Sequence, residues 1–535
     1  MKILAGGKWL SGFPDYFKAQ GQTRIKVVAF RNLARIEGMY FIRPRSLRLL
    51  VNYLFEFGPW GVFRKVRSRL GENLRNEKYI SIGIGKVLES GDEGRLPAGT
   101  MTAFLAPCHP ACVERIVLDS ELVMPLEIDL TFDDRQILHA EPSGELSDTD
   151  FWNDIAGYSE HSGEKISVDI LKNIYAEMRR LTAKCDWSSF TKLSLSGNAQ
   201  DERISEIKPV IVTTEPGGRK KPDGIVYGYG NYAKSFLLPN ASPFIDIRAI
   251  HEIDPTQIPI DNSRIRWDTS PLPRPDERAG VFFGAGYHHT HVPVALAALA
   301  QGAYAVIEKP VAVDEKQLEE LLAALVKSGP KLFSCYHKRY IPFNAYAIED
   351  LELKPGMPVS YSCIVYEVPL PRLHWYQWPN AKSRLVSNGC HWIDHFLYLN
   401  GFPRVTSFDL AIAPDDTLNV SVTAANGAFF TMVLTDRGSE RVGLRDYIEL
   451  RTANSTVRMT DGSTYFAEGP DRVIRRASIN KLFSYQNMYS TISRKIAAGE
   501  SGDSIDSVKI SAGLILDLEC LYQSRRHRVP GVPLP

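Results

Sequence analysis

Gly228-Tyr229-Gly230-Asn231-Tyr232-Ala233 follows directly on the apolar run Ile225-Val226-Tyr227, near the middle of a chain of 535 residues. The pattern is G-x-G-x-x-A, placed after a strand and at the opening of a helix, the context that gives so short a match its meaning. The first glycine allows a tight strand-to-helix turn. The second lets backbone come close to a pyrophosphate, which then sits among the unpaired N–H groups of the helix start, and Ala233 lets that helix pack closely on the strand. Roughly two hundred residues precede this turn, too many for a leader to the domain it opens, so the sequence reads as a fusion.

Working outward, short β-like runs alternate with helical runs over residues 206–340. Strands are expected at 225–227, 245–250, 279–283 and 303–307, with a helix starting at 232 and another over 291–301. Asp314 is placed to cap a helix that runs to Lys327 and closes at Gly329. Such alternation predicts a parallel, doubly wound Rossmann-type sheet. Residues 341–535 change character. Strand candidates follow one another at 359–368, 405–413, 418–424, 428–434, 447–451 and 457–460, with helices near 390–399 and 507–522. That succession predicts an open, mainly antiparallel α/β sheet domain. Residues 1–205 read as β-rich, with strand-like segments such as 79–88 and a helical stretch near 168–181. The expected whole is a multidomain protein of α/β and α+β class, divided at 1–205, 206–340 and 341–535.

Glu252 follows Gly230 by 22 residues at the end of the second strand, close to the usual spacing of about 20 for the acid that takes the ribose hydroxyls. A carboxylate there also repels a 2′-phosphate, so NAD is expected over NADP, with Asp254 as the substitute acid and a solvated loop acid as the alternative. Glu308-Lys309-Pro310 comes after the strand 303–307, at the carboxyl end where open α/β sheets bind ligands. A lysine there can bond a substrate hydroxyl and stabilise a developing alkoxide. Taken alone, the tripeptide would read first as a surface lysine before a turn proline.

Tyr287-His288-His289-Thr290-His291, the helix 295–302, Glu308-Lys309-Pro310 and His391-Trp392-Ile393-Asp394 together resemble the glucose–fructose oxidoreductase/inositol dehydrogenase (Gfo/Idh/MocA) family over residues 222–530. The resemblance implies an N-terminal Rossmann domain and a C-terminal open-sheet α/β domain. It implies catalysis by Lys309 at the reacting carbon, with His391 as proton acceptor or donor. Its cofactor set would be Gly228, Gly230, Asn231, Tyr232, Glu252, His288, His291, Glu308 and Lys309. Its substrate set would be Arg339, Trp375, Ser387, Asn388, Asp394 and His395. One departure stands out: the family often carries Asp four residues before the histidine, and this chain has Ser387, which supplies no carboxylate to orient the imidazole. His337 reads as structural or as a pocket wall. The aromatic cluster His374-Trp375-Tyr376-Gln377-Trp378-Pro379 suits the C–H faces of a sugar ring, and core packing equally well.

The first block bears a fainter likeness. Tyr79–Leu88, Gly99–Ala106 and Val113–Leu126 resemble the GroES-like part of medium-chain zinc-type dehydrogenases, and Arg43–Leu70 resembles the insert of two-part proteins that join such a unit to a Gfo/Idh/MocA unit. Between Leu126 and Lys208 no second G-x-G-x-x-G occurs, so this region is expected to lack a nucleotide site of its own.

Composition excludes several classes. Apolar residues make up 44% and charged residues 23%, ordinary for a globular protein. Lys+Arg 63 against Asp+Glu 62 leaves no field to gather nucleic acid. The opening Met1–Lys8 has no apolar core of a signal peptide, and the seven cysteines are scattered and odd in number; a cytoplasmic protein with reduced thiols is expected. Cys108-His109-Pro110-Ala111-Cys112 lacks a second ligand pair, so no metal is expected. The segment Arg43–Arg69 holds seven basic residues and one acid, Glu56. It reads as a solvated helix face, with anionic lipid or an anionic substrate as alternatives.

The expected function is hydride transfer between nicotinamide C4 and a secondary alcohol or ketone of a sugar or nucleotide sugar, in glycoconjugate or surface-polysaccharide metabolism. The competing readings are an NAD-binding scaffold with altered catalysis, and a peripheral membrane protein making weak surface contact through 43–69. A homo-oligomer is left open.

Overall fold

The computed structural model describes residues 2–5, 8–11, 22–36, 78–90, 96–109, 112–120, 123–125, 136–140, 191–194, 221–254, 257–258, 265–369, 376, 381–438 and 443–526. The basic segment 43–69 and the helical stretch near 168–181 lie outside the described residues.

In the first block the described strands are β1 (Lys2–Ala5), β2 (Lys8–Ser11), β3 (Gln22–Ile36), β4 (Lys78–Ser90), β5 (Met101–His109), β6 (Cys112–Val113), β7 (Arg115–Asp119), β8 (Val123–Pro125), β9 (Gln136–Ala140) and β10 (Thr191–Ser194). They form a three-stranded sheet in the order β2-β1-β6 and a seven-stranded sheet in the order β10-β9-β3-β4-β5-β8, with β7 also paired to β3. Ile25, Val27, Val87, Phe104, Ile116 and Leu118 build a small core there, and the Thr23 hydroxyl bonds both Ser90 and Ser120 beneath it.

The third sheet is wholly parallel: β11 (Asp223–Tyr227), β12 (Asp246–His251), β13 (Arg266–Asp268), β14 (Val281–Gly284), β15 (Tyr304–Glu308) and β16 (Leu332–Cys335), in the order β13-β12-β11-β14-β15-β16. The order reverses at β11, so the ligand crevice of such a sheet opens at its carboxyl end between β11 and β14. Helix α1 (His291–Ala300) and helix α2 (Glu315–Ser328) connect its strands. Asp314 accepts a bond from the Gln317 N–H (2.8 Å) and Gly329 closes α2 with φ of 80°, the cap pair expected from the sequence.

After the short helix α3 (Phe343–Asp350) comes an eight-stranded sheet of β17 (Ser360–Tyr366), β18 (Val405–Ile412), β19 (Leu418–Ala424), β20 (Phe429–Thr435), β21 (Arg445–Arg451), β22 (Thr456–Thr460), β23 (Thr464–Glu468) and β24 (Val473–Ser478). The order is β18-β19-β20-β17-β21-β22-β23-β24, antiparallel except between β17 and β20. Residues alternate in burial along β19, β21 and β22, as in a sheet with one covered face. Helix α4 (Cys390–Leu399) and helix α6 (Ile505–Arg526) share that face's core with α1 and α2.

Helix α5 (Phe483–Ala498) was not expected from the sequence. It leaves the antiparallel sheet and returns to the parallel one. Its Met488, Tyr489, Ile492 and Ile496 are buried with Val226, Phe283, Val306 and Phe333, each such side chain contributing roughly 1.5–3 kcal/mol on burial. No described helix is long and apolar enough to cross a membrane.

Candidate active site

Gly228 sits at φ of 106°, and a Cβ there would stand 2.4 Å from the Ala285 carbonyl oxygen. Both facts require glycine. The turn is tied down on either side: Gly228 N–H donates to His251 O and Ala285 N–H to Tyr227 O, each over 2.8 Å. A Cβ on Gly230, by contrast, would meet nothing within 4 Å, and Asn231 beside it is exposed. Open space against exposed backbone at a helix start fits a pyrophosphate. The helix begins with a π-turn, Ala233–Leu237, that runs on into Leu238–Ala241.

Glu252 stands just past β12 with its carboxylate folded onto the glycine turn. It accepts from the N–H groups of Tyr229 (2.8 Å) and Asp254 (2.9 Å). Burial raises its pKa to about 7, the Asp254 charge adds to that, and the two backbone bonds and Lys234 oppose it. It is thus placed at the turn as the spacing suggested, and it also anchors it.

Lys309 ends the strand-to-turn passage after β15. Its Nζ donates to the Ser387 carbonyl oxygen over 2.6 Å and to Tyr376 OH over 3.3 Å. Burial works against its charge, but Tyr376, Cys390 and Glu308 outweigh burial and lift its pKa above the ordinary lysine value, so it is an ammonium. Ser387 lies in a second π-turn, Leu385–Gly389, at the head of α4. Such turns carry one extra residue and recur at functional sites. His391 follows in the first turn of α4. It is buried, and its Nδ1 has no hydrogen-bond partner. Burial, then His337, Lys309 and Lys338, push its pKa well below the usual histidine value, so the ring is neutral. His337 meets it edge-on at 4.4 Å between centroids, stacks on Tyr485 at 4.0 Å, and places Nδ1 3.1 Å from Ser484 Oγ. Lys309, Ser387 and His391 are therefore brought into one neighbourhood, and His337 is one of its walls.

Glu308 points to the other side, into the joint with α5. It accepts from Tyr489 OH and Tyr232. Burial raises its pKa to about 7, against the bonds from Tyr489 and Tyr232 and the charge of Lys309. Tyr232 packs edge-on against Tyr485 and tilted on Tyr489, so the glycine-turn helix, β15 and α5 meet at these rings.

Other expected site residues have different occupations. His291 contacts the carbonyls of Pro310 (2.7 Å) and Gly286 (3.2 Å). Burial lowers its pKa to about 4, so it holds a single ring proton and can donate to one of the two carbonyls at a time. His288 Nδ1 lies 3.1 Å from the Ala381 carbonyl. Arg339 and Asp394 form a two-pronged ion pair at 2.6 and 2.8 Å, with Ser511 Oγ on the same carboxylate and Asp503 on the same guanidinium. His395 is enclosed between Tyr361 OH and Asn344 Oδ1. These contacts hold α4 to its neighbours. Asn388 gives its amide to Glu367, 2.6 Å away. Trp375 lies outside the described residues.

The sequence reading did not name Glu367, Tyr485 or Tyr489. Only α5's spacing of Met488, Ile492 and Ile496, one side of a helix, pointed toward the tyrosines, and nothing local marked Glu367. One described group has metal-like geometry, His251, Asp268 and Glu277. Arg266 and Tyr227 bond Glu277, and Arg274 pairs with Asp268, which makes the group an internal network of charges closed by its own arginines.

No family model and no curated protein matches the chain. Solved structures do resemble it in part. UDP-N-acetylglucosamine 3-dehydrogenase from Acidithiobacillus ferrooxidans is 14% identical, over 56% of this chain and 98% of its own, with a TM-score of 0.45. An oxidoreductase from Agrobacterium radiobacter, solved with NAD+, L-tartaric acid and magnesium, is 13% identical over 57% and 98%, with a TM-score of 0.47. The 3-ketoreductase KijD10 from Actinomadura kijaniata, in complex with NADP and TDP-benzene, is 16% identical over 55% and 96%, with a TM-score of 0.45.

Proposed function

We propose that this chain is a nicotinamide-dependent oxidoreductase of the Gfo/Idh/MocA type, acting on a secondary alcohol or ketone of a sugar or nucleotide sugar, with NAD preferred over NADP. One observation carries the reading: the sheet whose strand order reverses at the Gly228 turn also presents Lys309 at the carboxyl end of β15, where its charge acts on His391, a neutral ring with Nδ1 unbonded. The nicotinamide, when bound, supplies the hydride chemistry. The chain's own part is to hold the pyrophosphate at Gly228 and Gly230, to take the ribose at Glu252, and to meet the substrate hydroxyl with Lys309 and His391. Lys309 stays charged and stabilises an alkoxide. His391, neutral with Nδ1 free, is able to accept the hydroxyl proton.

The first 205 residues are, in this reading, a reduced GroES-like part without a nucleotide site, and the units divide at 205/206 and 340/341. A second reading, an NAD-binding scaffold, is favoured by Lys309 being already bonded to the Ser387 carbonyl where a carboxylate would activate the site. Calorimetric titration with NADH, followed by turnover assays with NAD+ over a panel of sugars and nucleotide sugars, separates the two. Absence of nucleotide binding defeats both, and tight NADH binding with no turnover selects the scaffold.

A further inference from the structure

Glu367 comes directly after the last residue of β17, at the carboxyl end of a strand in the middle of the eight-stranded sheet. Its backbone N–H bonds the Thr435 carbonyl (2.8 Å), which fixes the main chain at that point. Oε1 accepts the Asn388 amide. Oε2 is buried and receives no hydrogen bond. Arg384 Nε is 3.6 Å from Oε2 and 3.8 Å from Asp416 Oδ2, too long for a hydrogen bond to either, and is itself a buried donor without an acceptor. Buried polar groups left unbonded are costly, and a pair of them facing each other calls for a third group. A hydroxyl set beside the pair can donate to Oε2 and accept from Nε–H at ordinary lengths.

The place of this pair is as telling as its chemistry. Lys309 and Glu367 grip consecutive residues of one π-turn, Ser387 through its carbonyl and Asn388 through its amide. The Lys309 charge is felt at Glu367, where it opposes the upward push of burial on the carboxyl pKa. Four residues past Ser387, His391 offers its own unbonded Nδ1. Two unfilled hydrogen-bonding positions thus flank a single helical turn, one basic and one paired carboxylate–guanidinium.

We infer that Glu367 supplies a carboxylate to this site: its Oε2 accepts a substrate hydroxyl that Arg384 also contacts, and the part of the substrate seated there is an uncharged polyhydroxy ring. The inference rests on the oxidoreductase reading above and adds to it the residue that selects the substrate. Ser387 in the π-turn supplies no carboxylate, and the acid of this site comes instead from the end of β17. A substrate with a carboxylate or phosphate at that point would meet Glu367 as a like charge.

The test is binding of myo-inositol, UDP-N-acetylglucosamine and dTDP-glucose to the whole chain by calorimetry, each with and without NADH, in wild type and Glu367→Gln. Wild type is expected to bind at least one of these probes. The glutamine variant, which keeps the contact to Asn388 and loses the charge, is expected to bind it at least about tenfold more weakly, with NADH affinity unchanged. Equal affinity in the variant overturns the inference, as does a wild type that holds NADH but none of the three probes. A protein that holds no NADH, yet loses a probe on Glu367→Gln, defeats the dinucleotide reading and leaves the role of Glu367 standing. Should the glutamine variant fail to fold, Glu367→Asp draws the charge back by one methylene and is expected to weaken the same probe, and unchanged affinity there is equally fatal.

Discussion

The ammonium of Lys309 and the backbone carbonyl of Ser387 are 2.6 Å apart. A main-chain oxygen thereby holds the lysine in place, and the site keeps a full positive charge with no carboxylate bonded to it. Lys309→Ala and His391→Ala are each expected to lower turnover by at least about a hundredfold, the low end for groups engaged in proton transfer. NADH affinity should hardly move, because neither residue lies at the glycine turn. Turnover within a few-fold of wild type in both variants rules out the catalytic assignment.

The two glycines of the turn should part company on substitution. Gly230→Val projects into open space, so the melting temperature is expected to stay near wild type while calorimetry detects no NADH binding. Gly228→Val meets the Ala285 carbonyl and a positive φ, and is expected to cost about 2 kcal/mol or more of stability. A Gly230→Val protein that binds NADH normally removes the pyrophosphate from this turn.

Cofactor choice should depend on pH. Glu252 titrates at about 7. Below that it is neutral and does not repel a 2′-phosphate; above it the carboxylate does. The ratio of NADH to NADPH affinity is expected to rise as pH passes from about 6 to 8, and the rise traceable to this carboxyl should vanish in Glu252→Gln. A wild type that prefers NADPH throughout contradicts the NAD assignment.

What the sequence disclosed, and what it hid, follows from the range of the interactions. The glycine turn, the Asp314–Gly329 capped helix and the strands expected at 225, 245, 279 and 303 were legible because a turn or a cap is settled by residues next to one another, whereas the short β13 was not. So was α4, from its run of apolar residues at 390–399. Glu367 was not legible, since a glutamate ending a strand looks like any other until Asn388 and Arg384 are folded against it. Arg339, Asp394 and His395 sit within a motif-like stretch, yet their partners Asp503, Ser511, Tyr361 and Asn344 lie up to more than a hundred residues away. Proximity to a motif does not tell which way a side chain turns.

Glu308 gives a stability prediction with a definite sign. An ordinary carboxyl near 4.5 is raised here to about 7 by burial, so the folded state binds a proton more tightly than the unfolded one. The stability this contributes is complete below about pH 4.5 and is lost as pH climbs through about 7. The melting temperature of wild type relative to Glu308→Gln is therefore expected to fall across that window and to level off on either side. Tyr489→Phe removes the donor to the carboxylate and should destabilise the protein by about 1–3 kcal/mol. A flat difference between wild type and Glu308→Gln from pH 4 to 8 refutes the raised pKa.

Helix α5 and the segment after it close the parallel sheet from far down the chain. Gly502 N–H bonds the Pro330 carbonyl, Asp503 N–H bonds that of Leu332, and the Asp503 carboxylate takes the Ser334 N–H, all along the open side of β16. A Cβ on Gly502 would lie 2.1 Å from the Leu332 oxygen, so no other residue could come so near. During synthesis, then, the parallel-sheet half cannot be finished when its own strands have left the ribosome. It waits for some 170 further residues, with one flank bare and one face unroofed. A nascent chain halted before 503 would offer that flank to any passing strand.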